Sequence, residues 1–149
     1  MSRHTPALLL IGSLVLMLIA GCASDRPLAQ SPDSPKNQAA FQRVLPLLET
    51  NCVHCHGVQR LPTMPALTDT KVLATLIGPG QLIVPGAPES SRFFQVVTLA
   101  DNQAGAMPPT GHGISKSEVE TLRKWIQSGA SLPAENLILK PRGLGPRSL

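Results

Sequence analysis

The stretch Cys52-Val53-His54-Cys55-His56 decides how this chain is read. Two thiols three positions apart sit on one helical turn, and an imidazole follows the second at once. A zinc site would need a second ligand pair, and no cysteine lies downstream of Cys55. A thioredoxin-like redox pair wants a βαβ context, which the surrounding pattern does not supply. A disulfide across so tight a loop is open to an exported protein but leaves His56 without a role. The remaining reading is covalent haem attachment: Cys52 and Cys55 add to the two vinyl groups, and His56 comes beneath the iron. A proximal histidine needs its other ring nitrogen held by an acceptor. A backbone carbonyl between Val58 and Pro65 is the expected source.

A second axial ligand has four candidates: His54, Met64, Met107 and His112. His54 lies within the attachment loop, on the wrong side for the opposite face. Met64 follows His56 too closely to wrap over a ring. Met107 stands 51 residues beyond His56, in Gly105-Ala106-Met107-Pro108-Pro109, where the prolines restrict the loop and lower the entropy lost on ordering it. Met107 is therefore expected as the distal ligand, with His112, between two glycines, as its main rival.

Helical signals flank the motif. Phe41, Val44, Leu45 and Leu48 fall at helical spacing from about Asn37, with Pro46 expected to kink or split that helix. Ser115-Lys116-Ser117-Glu118 is a capping-box signature, followed by the apolar stripe Val119, Leu122, Trp125, Ile126 and a stop at Gly129. Asp69–Ile77 and Pro88–Thr98 are shorter candidates, the second with Pro88 in its first turn. No strand alternation runs long enough to compete, so the fold class is all-α.

The chain has 149 residues, three cysteines and 3% aromatic residues, none of them tyrosine. Its formal charge is +4, but the basic residues are scattered and no aromatic platform accompanies them, which excludes nucleic acid as a partner. Arg3-His4 opens a leader whose apolar run, Ala7–Ala20, has the length of a secretory core and falls short of the ~20 residues of a membrane span. Ile19-Ala20-Gly21-Cys22 resembles a bacterial lipoprotein signal, which implies cleavage before Cys22 and lipid attachment to it. Ala23, not Asp, follows, so no inner-membrane retention signal is present. Cleavage removes Arg3, leaves a side-chain charge of +3, and two ionised propionates would bring it to about +1, too little to steer docking. The expected organisation is a signal over 1–21, a Pro/Ser-rich tether over 22–36, a domain over 37–133 and a loosely ordered tail over 134–149.

The attachment motif, the Met107-Pro108-Pro109 loop and the capped helix ending Trp125-Ile126-Gln127-Ser128-Gly129-Ala130 resemble a class I cytochrome c domain. Leu47–Cys52 and Ile83–Ser91 narrow the resemblance to the planctomycete-type bacterial c-type cytochromes, over about Gln38 to Leu132. One departure is Ala87, where such domains carry an Asp that caps the following helix. The resemblance implies a small helical fold wrapped around one covalently attached haem c, with Cys52 and Cys55 in thioether links, His56 proximal and Met107 distal. It also implies that the first and last helices cross, with Phe41 and Trp125 at the contact. His and Met together leave no open position on the iron, so the expected function is one-electron transfer between extracytoplasmic redox partner proteins. Such a carrier, tethered to a membrane through Cys22, is no enzyme and takes no small-molecule substrate. The alternatives are a haem-bearing accessory subunit of a larger oxidoreductase, or a five-coordinate peroxidatic enzyme if Met107 does not ligate.

Overall fold

The computed structural model describes residues 35–109, 111 and 113–143. The leader, Cys22, the tether up to residue 34, His112 and residues 144–149 lie outside the described residues. Five helices follow one another: α1 (Pro35–Asn51), α2 (Val53–His56), α3 (Thr70–Ala74), α4 (Arg92–Thr98) and α5 (Lys116–Gln127), with a 3-10 turn at Pro88–Ser90 before α4. β pairing among the described residues is confined to two isolated bridges, Asp69 with Ile138 and Ile77 with Ile83. The architecture is all-α.

α1 and α5 pack across one another and carry the centre of the core. Phe41, Val44, Leu47 and Leu48 of α1 are buried, and Leu122, Trp125 and Ile126 of α5 meet them. The Phe41 and Trp125 rings lie 6.2 Å apart between centroids at 54°. That tilted geometry suits the ring quadrupoles better than a face-to-face stack. The indole N–H donates to the Ser131 carbonyl at 2.9 Å, so the one polar atom of the buried side chain is satisfied. The capping box forms as its spacing predicts: Ser115 Oγ accepts from the Glu118 N–H, and Glu118 Oε2 accepts from the Ser115 N–H at 2.7 Å. At the other end Gly129 takes φ +106, a left-handed conformation that an L side chain rarely adopts.

Three expectations need correcting. Pro46 does not split α1, which runs unbroken from Pro35 to Asn51 and so takes in the last two residues of the expected tether. Pro46 is exposed, so the backbone bond it removes falls where water can replace it. The candidate helix Pro88–Thr98 divides at Ser91, whose hydroxyl is buried and donates to the Ala87 carbonyl at 2.9 Å while accepting from the Val84 N–H at 2.8 Å. That serine organises the turn before α4.

The third concerns residues 134–143. They do not form a loose tail but return along the core. Leu139 is 4% exposed, its N–H donates to the Thr68 carbonyl at 2.9 Å, and the Thr70 N–H donates to the Leu137 carbonyl at 3.0 Å. Their Lys, Arg, Gly and Pro content hides a short apolar triplet, Leu137-Ile138-Leu139, of which Leu139 enters the core.

Candidate cofactor cleft

α1 ends at Asn51, and Cys52 leads directly into α2. The Cys52 N–H donates to the Leu48 carbonyl, and the Cys52 carbonyl accepts from both Cys55 and His56. This places Cys52 under the α1–α5 core while Cys55 is exposed one turn on. Gly57 closes the turn; a Cβ there would stand 2.6 Å from the Val53 carbonyl oxygen, closer than carbon and oxygen tolerate. The two thiols are free and not joined to each other.

His56 leaves α2 half-buried, with its Nδ1 within 2.9 Å of the Pro65 carbonyl oxygen. The Leu67 N–H donates to the His56 carbonyl at 2.8 Å and folds the intervening loop back on itself. Pro65 lies in the segment where the sequence placed an orienting carbonyl. With Nδ1 engaged as a donor, Nε2 is the nitrogen left to act as a ligand.

Cys52, Cys55, His56 and Met107 line one cleft of about 240 Å³. Its other walls are largely apolar: Pro65 and Leu67 beside His56, Leu76 and Leu82 across from them, and Phe93, Val96 and Val97 from α4. The Met107 loop is pinned to that helix, because the Met107 N–H donates to the Val96 carbonyl at 2.9 Å. A larger open hollow of about 950 Å³ between α1 and α5, bordered by Lys36, Arg43 and Lys124, has neither thiol nor imidazole in its wall.

Burial pushes the Cys52 thiol up to about 12, aided by the Glu118 carboxylate and by Cys55. In the folded chain this sulfur is therefore a protonated thiol, well suited to an apolar wall. Among the described residues no group of three or more His, Cys, Asp and Glu comes together. The donor set does fit a haem. Two thiols stand one turn apart, one imidazole nitrogen is oriented by a carbonyl, and a thioether shares the same apolar cleft. An iron held in a porphyrin needs only two ligands from the protein.

His54 points elsewhere, as its position between the cysteines implies: it is exposed and its Nε2 lies 3.0 Å from the Arg142 carbonyl oxygen. Met64, which follows His56 too closely to wrap over a ring, lines the same cleft. Asn51 and Arg92 also line it and were missed. Asn51 is buried, its Nδ2 donating to the Leu47 carbonyl at 3.1 Å and to Glu118 Oε1 at 2.9 Å. Its place directly before Cys52 was the available signal. Arg92 carried none, since nothing in sequence says which face of α4 meets the cleft.

Compared with protein-family models, with curated proteins and with solved structures, the chain matches none.

Proposed function

We propose that this chain is a monohaem c-type cytochrome that carries single electrons between extracytoplasmic redox proteins, tethered to a membrane through lipid on Cys22. The observation that carries the proposal is the convergence of Cys52, Cys55, His56 and Met107 on one apolar cleft, with His56 Nδ1 already held by Pro65. When bound, the haem iron supplies the chemistry, taking up and returning one electron.

The chain's own residues do the rest. Cys52 and Cys55 would hold the haem through thioether links to its two vinyl groups, each link forming one carbon–sulfur and one carbon–hydrogen bond with nothing released. The carbonyl of Pro65 fixes the proton on Nδ1 and presents Nε2 as the proximal ligand. Met107 would supply the second protein ligand, which would leave no open position for substrate or oxygen and would favour the reduced iron relative to a second histidine. Phe93, Val96, Val97 and Leu82 keep water from the cleft, so the surroundings reorganise little as charge changes.

The visible spectrum of the purified oxidised protein tests this. A low-spin spectrum with a weak long-wavelength band that disappears in Met107→Ala, while haem stays covalently bound, is the expected result. A high-spin spectrum in the unsubstituted protein would refute the carrier reading. Haem that survives denaturation after both Cys52 and Cys55 become Ala would refute the attachment.

A further inference from the structure

The returning segment after Pro133 touches the polypeptide on both sides of the proximal loop and nowhere in the cleft itself. At one end it meets α1 and α2. Glu49, a carboxylate only 4% exposed, accepts from the Lys140 N–H at 3.1 Å and from the Arg142 guanidinium. The Glu49 carbonyl accepts from the Arg142 N–H at 3.0 Å, and the Arg142 carbonyl faces His54 Nε2. At the other end Leu137 and Leu139 pair with the backbone of Thr70 and Thr68. Between these anchor points runs the stretch 54–68, with Cys55, His56 and the Pro65 carbonyl inside it. A buried carboxylate is a costly thing to hold in place for appearance alone, and Glu49 is fully engaged by this one segment.

We propose that residues 137–142 are a tie-bar for the proximal loop, and that Glu49 and Arg142 are positioning residues for the His56 side of the iron. The proposal rests on the haem reading above and goes beyond it. Holding both ends of the loop fixes the distance between the attachment turn and the Pro65 carbonyl. That in turn fixes where the His56 nitrogen stands relative to the Met107 loop on α4. With the tie-bar loosened, His56 and the Met107 loop would no longer be held in register, and the weaker ligand, the methionine, would detach more readily.

Full-length Glu49→Gln and Arg142→Ala, with Arg142→Lys as the conservative variant, test this by titration of the oxidised protein with imidazole. Imidazole takes the methionine position, so its apparent affinity reads how easily that position opens. Both disruptive variants should bind it about threefold to tenfold more tightly than the parent, with Arg142→Lys between them and the parent. Covalent haem content and the reduced spectrum should be unchanged. Arg142→Ala alters an exposed side chain and keeps the reasoning testable should Glu49→Gln fold poorly. If the variants lose thermal stability while imidazole affinity and reduction potential stay at the parent's values, the segment is merely structural and the proposal falls. A parent protein that holds no covalent haem overturns the functional reading and the tie-bar's role together. Normal haem in the parent with unchanged variants overturns the tie-bar alone.

Discussion

Replacing Phe41 and Trp125 with Leu, singly and together, tests the helix crossing on which the cleft is built. Both rings are fully enclosed, at 0% and 1% exposure, and meet at 6.2 Å. Truncation to Ala would cost about 3–5 kcal/mol at each site, a large part of the ~5–15 kcal/mol that holds a domain folded. Leucine keeps apolar bulk and removes the aromatic faces. Phe41→Leu should cost about 1–2 kcal/mol. Trp125→Leu should cost about 2–3 kcal/mol, since it also strands the Ser131 carbonyl that now accepts the indole N–H, a loss of about 1 kcal/mol. The ring pair itself is worth about 0.5–1.5 kcal/mol, so the double variant should be less destabilised than the two singles added by that amount. Denaturant unfolding followed by circular dichroism gives all four stabilities, and it avoids fluorescence because Trp125 is the chain's only tryptophan. Simple additivity within ~0.3 kcal/mol would show that the rings do not interact, and the α1–α5 crossing would have to be redrawn.

Gly57→Ala forces a methyl against the Val53 carbonyl at 2.6 Å, so α2 must open; calorimetry should show a loss of about 1–3 kcal/mol and expression should yield less covalent haem. Asp69 caps α3 by accepting from the Val72 N–H, and that bond holds its carboxyl below the usual value of 3.8. Its contribution is thus complete above the unfolded-state value and disappears as pH falls through the lower folded one; melting temperature against pH should drop less steeply on the acid side in Asp69→Ala, and identical acid limbs would contradict the cap. Cys22→Ser should move the protein from the membrane fraction to the soluble one, and retention on the membrane would count against lipidation.

Local rules were readable wherever the residues that satisfy one another are close in sequence. Ser115 and Glu118 cap their helix within one turn, and the attachment motif sets its thiols by helical spacing alone. The loop from Val58 to Pro65 was legible as the source of the His56 partner because a proximal ring nitrogen needs an acceptor nearby; that the acceptor is Pro65 depends on how the Leu67 N–H folds the loop back. What escaped was decided by distant contacts. Residues 134–143 read as loose because lysine, arginine, glycine and proline outweigh a single apolar triplet. Yet Leu139 enters the core, and Glu49, almost a hundred positions earlier, fixes Arg142. Pro46 read as a breaker because propensity ignores which face of α1 is wet. Across 35–143, among the described residues, no helix is long and apolar enough to cross a membrane.

Asn51, Ser115 and Glu118 share a further consequence. One carboxylate receives the Ser115 backbone and hydroxyl on Oε2 and the Asn51 amide on Oε1, so the start of α5 and the wall of the cleft hang from the same side chain. Replacing Ser115 or Glu118 disturbs the cap of α5, and replacing Glu118 or Asn51 breaks the bond that joins that cap to the cleft wall. In a randomised library selected for folded protein, the survivors at 51, 115 and 118 would be recovered as matched sets. Change on this side of the cleft would then proceed in linked steps, the cleft wall and the start of α5 altering together.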